Sequence, residues 1–194
     1  MEKILVKNYA AFLPFEKDEK KYKIVTDKDG NEIGFEVVGM VTDFTTANQN
    51  GQKFERNSYD RFVKEYFEAN ELNIPIDLMH CRDAFHLAGV AKKFAKKDGG
   101  VQVTAFIPKG VYFYNMIKVL LENGVLQGFS NYGYITDYDY DRTKDEIIVK
   151  DFQLISISLV DVPSDVSGKF VSNATNFEGF KPDPVINNLE MFGV

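Results

Sequence analysis

Long strand-like segments with internal glycines constrain the fold of this 194-residue chain more than any other feature. Residues 32–44 and residues 125–137 are rich in β-branched and aromatic side chains, and each segment contains two glycines. Glycine weakens the interior of a strand, and it often marks a bend or a site where another backbone approaches closely. Because such glycines are typical of sheets that curl, we predict a strongly curved sheet rather than a flat one.

The other segments predict further strands, joined mainly by hairpins, and two amphipathic helices. Asp29-Gly30 is a strong hairpin signal between residues 22–26 and the long strand that follows. Apolar residues recur at helical spacing in two segments, residues 58–70 and 111–123. The remaining predicted strands are residues 1–15, 76–80, 87–94, 101–107 and 147–162. This pattern predicts an α+β fold, a mainly antiparallel, closed or nearly closed β-barrel with helices packed outside.

The length predicts one barrel domain, residues 1–168, followed by a C-terminal tail, residues 169–194. The chain is 44% hydrophobic and contains 17 Phe and 10 Tyr, which is enough for a sizeable core. A formal net charge of −6 argues against a sequence-independent nucleic-acid partner, which would need a basic surface. No apolar run approaches the roughly 18 residues that cross a bilayer, so we expect no membrane partner either.

Cysteine and histidine usage limits the possible chemistry. The single cysteine, Cys81, excludes an internal disulfide framework, and we interpret it as a small filler residue in a cytoplasmic protein. The only histidines are His80 and His86, so the choice of a general base near neutral pH is short. His80 follows an apolar strand and precedes a polar turn, which suits either a partly buried structural histidine or a base at the edge of the core.

Two other arrangements near His80 are disfavoured. A strand disfavours a Cys81–His80 dyad, because adjacent side chains point to opposite faces. A metal site is disfavoured because the spacing matches no common zinc pattern and no second pair of ligands exists elsewhere. We therefore predict neither a metal nor a cofactor. The candidate metal ligands in this segment are Asp77, His80, Cys81, Asp83 and His86.

Ser130 is the candidate nucleophile, because it lies between Gly128 and Gly133 in a strand-like segment. A serine nucleophile needs a base, a group that orients the base, and donors for the oxyanion. The segment lacks a G-x-S-x-G elbow, since Tyr132 occupies the position of the second glycine, and this disfavours an α/β-hydrolase. Two interpretations stay open at this point: a packing strand with an incidental serine, and a nucleophile served by His80.

Three segments, in order, resemble the prohead (capsid maturation) proteases of tailed bacteriophages, whose fold is related to that of the herpesvirus assemblin proteases. The first is the apolar segment 76–80 that ends in histidine, followed by Leu87-Ala-Gly-Val-Ala. The second is Asn123-Gly-Val-Leu-Gln-Gly-Phe-Ser-Asn-Tyr-Gly, and the third is Leu154-Ile-Ser-Ile-Ser-Leu-Val-Asp-Val-Pro. Together the resemblance covers about residues 35–170.

The resemblance implies Ser130 as nucleophile, His80 as general base and a third catalytic member two residues before Ser158. The family often has an acid or a histidine at that position, whereas this chain has Ser156. A serine hydroxyl can set the tautomer of an imidazole but cannot stabilise the imidazolium as a carboxylate does. We expect the oxyanion donors in the turn at residues 164–168. The other candidates for the third member are Asp151, Asp161, Asp165 and His86.

The function that the resemblance implies is a serine endopeptidase of phage head maturation. Its expected substrates are the phage scaffolding protein, the major capsid protein and its own chain. It would act in the host cytoplasm inside the assembling prohead, as a homo-oligomer such as a dimer, and its tail would be removed or serve as an anchor. The competing interpretation is a non-catalytic phage assembly or scaffold-associated module that retains the protease fold, and Ser156 favours it.

Overall fold

The computed structural model describes residues 4–8, 22–48, 50–70 and 72–161. The predicted boundary at residue 168 and the predicted tail lie outside these residues. Two helical segments occur in the described part, the π-helix Phe62–Glu68 and the α-helix α1, Tyr114–Glu122. The strands there are β1 Ile4–Asn8, β2 Lys23–Thr26, β3 Glu32–Asp43, β4 Gln52–Phe54, β5 Pro75–Leu78, β6 Leu87–Lys97, β7 Gly100–Pro108, β8 Gly128–Asp141 and β9 Glu146–Val160.

All nine strands belong to one sheet, whose order is β1-β8-β9-β5-β6-β7-β3-β2, with β4 paired to β9. Most neighbours are antiparallel, as predicted, but β4 and β5 both run parallel to β9. The mainly β, α+β character is therefore confirmed. The closed barrel is not supported, because within the described residues the hydrogen-bonded order ends at β1 and β2 and these two strands do not pair.

A side chain bridges the sheet where a backbone ladder is absent. Asn131 on β8 donates through Nδ2 to the Val41 carbonyl oxygen on β3, at 2.7 Å. The same nitrogen lies 3.0 Å from Thr42 Oγ1 and 2.7 Å from the Tyr59 hydroxyl. All these groups are buried. The sheet thus curls far enough for β3 to reach β8, and a buried amide connects the two strands.

Close backbone approach accounts for Gly133 on β8. A Cβ at this position would lie 2.3 Å from the Gln153 carbonyl oxygen and 2.7 Å from Cζ of Phe152. The β8–β9 register shifts between Tyr132 and Gly133, so the glycine also marks an irregularity in the ladder. The close backbone approach that a glycine in a strand indicates is therefore present at this position.

The core is formed by buried residues of the strands and of both helical segments, and α1 contributes Tyr114, Ile117 and Leu121 to it. The helix predicted over residues 58–70 is present in part as the π-helix, whose wide turn is seen in the 3.2 Å bond from the Ala69 N–H to the Lys64 carbonyl. In the described part of the chain, no helix combines the length and apolar character needed to cross a bilayer.

Candidate active site

Three polar side chains form a row across the centre of the sheet. Ser130 on β8 lies directly opposite Ser158 on β9, and Ser158 is in register with Asp77 on β5. Residues paired in this way project from the same face of a sheet with their Cβ atoms about 5 Å apart. Ser130 is 1% exposed, and the other two residues are fully buried. The row therefore joins two hydroxyls and a carboxyl in a site shielded from water.

His80 reaches this row through an unusual turn. We predicted a strand to residue 80, but β5 ends at Leu78, and both Met79 and His80 have positive φ angles, 53° and 59°. Two successive non-glycine residues in this region cost on the order of 1–3 kcal/mol each, so the surrounding structure must hold them. It does so through the Met79 N–H, which donates to the Leu159 carbonyl at 3.0 Å.

The turn changes where the imidazole lies. In a straight strand, His80 would be about 10 Å beyond Asp77, at roughly 3.3 Å per residue. In the structure, its Nδ1 is 2.9 Å from Ser158 Oγ. The left-handed turn therefore places the ring at the level of the serine row, and the candidate general base and the candidate nucleophile both adjoin Ser158.

When Asp77 is ionised, the hydrogen bonds of Ser158 select one tautomer of His80. Ser158 Oγ donates to Asp77 Oδ1 at 2.5 Å. A hydroxyl has a single proton, so a Ser158 that donates to an ionised Asp77 must accept its second bond from His80 Nδ1–H. With the proton on Nδ1, the lone pair is on Nε2, which is the form of the ring that can take a proton from a nucleophile.

The environment of Asp77 opposes its ionisation. Burial raises the pKa of the Asp77 carboxyl above its ordinary value. The hydroxyls of Ser158 and Ser156, the Arg82 charge and the His80 backbone N–H act in the opposite direction and lower this pKa. Asp77 Oδ2 is buried and has no hydrogen-bond partner within the described residues. A carboxylate in such a place is costly, and buried polar groups without partners are uncommon in folded proteins.

The structure brings Ser130 and His80 together around Ser158, whereas Ser156 occupies a different position. Ser156 projects from the same face as Ser158 but lies opposite Tyr132. It is fully buried, and its hydroxyl makes no hydrogen bond of ordinary geometry within the described residues. The face of β9 that carries Ser156 and Ser158 is buried at both residues, and the residue that contacts His80 Nδ1 is Ser158.

Two of the other candidates for the third member, Asp151 and His86, are engaged with other partners. Asp151 pairs with the Arg61 guanidinium and the Thr136 hydroxyl. His86 Nδ1 lies 2.7 Å from Asp83 Oδ2. Asp161 directly follows the end of β9. Asp165 and the predicted oxyanion donors at residues 164–168 lie outside the described residues.

The candidate metal ligands do not form a cluster. Among the residues that the structure describes, no group of three or more His, Cys, Asp or Glu side chains is arranged to hold a metal ion. Cys81 is exposed, so its interpretation as a packed filler is wrong. Its backbone N–H instead closes the turn by donating to the Leu78 carbonyl at 2.9 Å.

The sequence does not predict that Asp77 and Ser158 lie beside His80. In the sequence, Asp77 is only a candidate metal ligand, and Ser158 only marks the position of Ser156. One sequence feature pointed to Asp77, because an acid between the apolar residues Ile76 and Leu78 requires a special reason for its burial. No feature of the sequence indicated that Asp77 and Ser158 pair.

Comparison with known proteins gives relatives in sequence and in fold. No family model matches the chain. The probable capsid maturation proteases of Lactococcus phages p2 and SK1 are each 28% identical to it over 158 residues, which is 80% of this chain and 80% of each relative. The structure of the bacteriophage T4 capsid assembly protease, gp21, matches with a TM-score of 0.64 at 16% identity, covering 84% of this chain and 100% of that one.

The structural match shows a shared fold and no more, because the two chains are only 16% identical. The sequence match is to two other proteins, which are also named as capsid proteases. The resemblance to the prohead proteases of tailed phages, first indicated by three short segments, is thereby confirmed over most of the chain.

Proposed function

We propose that this chain is a serine endopeptidase of phage head maturation, with Ser130 as its nucleophile and His80 as its general base. The names of its relatives and the fold that it shares with a capsid assembly protease support a protease of this class. The observation that carries the assignment of residues is the arrangement around Ser158, which pairs with Ser130 in register and contacts His80 Nδ1 at 2.9 Å.

In this mechanism Ser130 Oγ attacks the scissile carbonyl carbon, and its proton passes to His80 Nε2. The imidazolium then returns the proton to the departing amine, which leaves an acyl group on Ser130. Water attacks that ester with His80 again as base, and the product acid is released. Since Ser130 is 1% exposed, a substrate can reach it only after the groups that cover it move apart.

The proposed substrates are those that the resemblance to the prohead proteases implies, and the names of the relatives, which refer to capsid maturation and capsid assembly, support a role in capsid processing. They are the major capsid protein, the scaffolding protein and the chain itself, cleaved inside the assembling prohead in the host cytoplasm. A homo-oligomer, such as a dimer, stays a prediction, as does removal or anchoring of the segment at residues 169–194.

A second candidate function is a non-catalytic assembly module that keeps the protease fold. The serine at position 156 favours it, because the family often has an acid or histidine there. The burial of Ser130 also fits a protein without turnover. The two candidates differ in one property, hydrolysis that depends on Ser130.

The test compares wild type with Ser130→Ala, incubated alone and with the scaffolding and capsid proteins, by intact-mass spectrometry. A fluorophosphonate probe reports the reactivity of the serine in parallel. Ser58→Ala is a matched control, because Ser58 is also a fully buried serine and its hydroxyl has no hydrogen-bond partner in the described part of the chain.

We expect wild type and Ser58→Ala to cleave and to be labelled at Ser130, and Ser130→Ala to do neither. Removing such a nucleophile lowers kcat by about 10⁶-fold in a serine protease, so any residual cleavage should be negligible. Equal cleavage by wild type and Ser130→Ala would refute the serine mechanism. Absence of cleavage and of labelling in wild type would support the non-catalytic module.

A further inference from the structure

The mechanism above gives no role to the buried carboxyl of Asp77, although only Ser158 lies between this carboxyl and the His80 ring. We propose that Asp77, acting through the hydroxyl of Ser158, is the positioning residue that orients His80 and stabilises its charged form, in place of an acid at position 156. This inference rests on the proposed function, because it assigns a task to Asp77 only if His80 is the base.

The connection is a continuous chain of hydrogen bonds. Asp77 Oδ1 accepts the Ser158 hydroxyl at 2.5 Å, and Ser158 Oγ lies 2.9 Å from His80 Nδ1. All three groups are fixed by backbone structure, because Asp77 and Ser158 lie on paired strands and His80 lies in the anchored turn. Ser158 therefore acts as a spacer that transmits the orientation of the carboxylate to the imidazole.

The protonation state of Asp77 decides which tautomer of His80 these hydrogen bonds favour. When Asp77 is ionised, it binds the Ser158 proton, and His80 carries its own proton on Nδ1 with a lone pair on Nε2. When Asp77 is neutral, the Ser158 proton is released to face Nδ1, and the ring can then adopt the Nε2–H tautomer. That tautomer cannot accept a proton from Ser130, so the ionised carboxylate maintains the active form of the base.

A purely structural role for Asp77 is less consistent with its surroundings. Its side chain is fully buried, Oδ2 lacks a partner within the described residues, and burial raises the pKa of this carboxyl. The charged side chain that acts on it is Arg82, while His80 acts through its backbone N–H and Ser156 and Ser158 act through their hydroxyls. Its neighbour in the row is Ser158. Such a group destabilises the fold when it ionises, so its presence is better explained by the chemistry of the site.

The experiment measures kcat/KM against pH for wild type, Asp77→Asn, Ser158→Ala and Ser156→Ala, on a peptide that spans a mapped self-cleavage site. We expect Asp77→Asn and Ser158→Ala to lower kcat by roughly 10²- to 10⁴-fold, since replacing the acid that orients a catalytic histidine has an effect of this size. We expect the acidic limb of the Asp77→Asn profile to move to lower pH, because the imidazolium loses its nearby negative charge.

A spectroscopic readout separates positioning from folding. ¹⁵N NMR of His80 in the inactive Ser130→Ala background should show the Nδ1–H tautomer, and adding Asp77→Asn should shift the ring toward Nε2–H. Ser158→Thr keeps the hydroxyl and should retain more activity than Ser158→Ala. Ser58→Ala is the unchanged control for removal of a buried hydroxyl.

The outcomes separate this inference from the function on which it rests. If Ser130→Ala leaves cleavage intact, the proposed function fails. If Ser130→Ala abolishes cleavage while Asp77→Asn keeps the wild-type rate, pH profile and tautomer, only the role of Asp77 fails. A larger loss of kcat in Ser156→Ala than in Asp77→Asn would likewise overturn it in favour of Ser156.

Discussion

Truncating Asn131 should destabilise the fold far more than removal of an ordinary polar side chain. Asn131 connects β8 to β3, two strands that no backbone ladder pairs within the described residues. Its amide binds the Val41 carbonyl, and the β3–β7 register skips Val41 between Met40 and Thr42. The carbonyl of this irregular residue thus receives its hydrogen bond from a side chain.

The magnitude of the Asn131→Ala effect follows from the groups left behind. The buried Val41 carbonyl would lose the Asn131 bond, at a cost of about 1–3 kcal/mol for an unsatisfied acceptor. The Tyr59 hydroxyl keeps its 2.8 Å bond with Thr42 Oγ1, so the loss there is about 1 kcal/mol. We therefore expect a decrease of roughly 2–4 kcal/mol in the free energy of unfolding, a large share of the ~5–15 kcal/mol of a typical domain.

Urea unfolding followed by fluorescence or circular dichroism measures this effect. With a slope near 2 kcal/mol/M, the midpoint should fall by about 1–2 M. Asn123→Ala is a matched control, because its amide also bonds a backbone carbonyl, that of Val119 at 2.8 Å, but on an exposed helix end. We expect that control to change stability by less than about 1 kcal/mol.

A double-mutant cycle tests the network itself. Asn131→Ala and Tyr59→Phe remove the two sides of a 2.7 Å hydrogen bond, so their combined effect should differ from the sum by about 0.5–3 kcal/mol. If Asn131→Ala lies within about 0.5 kcal/mol of wild type, or if the two changes are additive, the amide does not connect the strands as argued.

Three further predictions concern stability. Gly133→Ala should destabilise by about 1–3 kcal/mol through overpacking against the Gln153 carbonyl, while Gly99→Ala, which has open space around its Cβ, should be nearly neutral in the same urea assay. The pKa of Asp77 is raised in the folded state, so its carboxyl should destabilise the fold progressively as pH rises above about 4, and Asp77→Asn should remove that slope in urea titrations between pH 4 and 7. Burial opposes ionisation of Asp151, but hydrogen bonds from Arg61 and Thr136 prevail and lower its pKa. The stability that this carboxylate contributes should therefore be lost as pH falls below about 4. Arg61→Ala should reduce this acid sensitivity in the same assay and lower the free energy of unfolding by about 1 kcal/mol at neutral pH.

Local patterns predicted the parts of the fold that depend on neighbouring residues. The Asp29-Gly30 turn is present, with Gly30 at φ 85° between the antiparallel strands β2 and β3. The glycine at position 133 correctly indicated a close approach. The extent of closure was not predictable, because it depends on whether β3 and β8 pair through backbone or through a side chain. The carbonyl that Asn131 binds belongs to Val41, which the β3–β7 register skips, and the local sequence pattern does not mark this irregularity.

The candidate site shows the same division between local and distant determinants. Ser130 and His80 each stand beside recognisable local features, a glycine-flanked strand and the end of an apolar one. Ser130 nevertheless lies at the start of β8 rather than in its middle, since that strand begins at Gly128. The left-handed turn that brings His80 to the row was not predictable either, because no glycine or asparagine marks positions 79 and 80.

The orienting group could not be found by examining β9 alone, because its carboxyl comes from another strand. Asp77 and Ser158 are 81 residues apart, and they meet only because β5 joins β9 in parallel. Alternation along β9 identifies which of its residues share a face, and so it can propose only Ser156 or Ser158. In the row that the sheet builds, the neighbour of Ser158 on one side is the candidate nucleophile, and on the other side it is an acid. If Asp77 carries the charge, a serine at position 156 is compatible with catalysis, and the departure that favoured a non-catalytic module no longer counts against a protease.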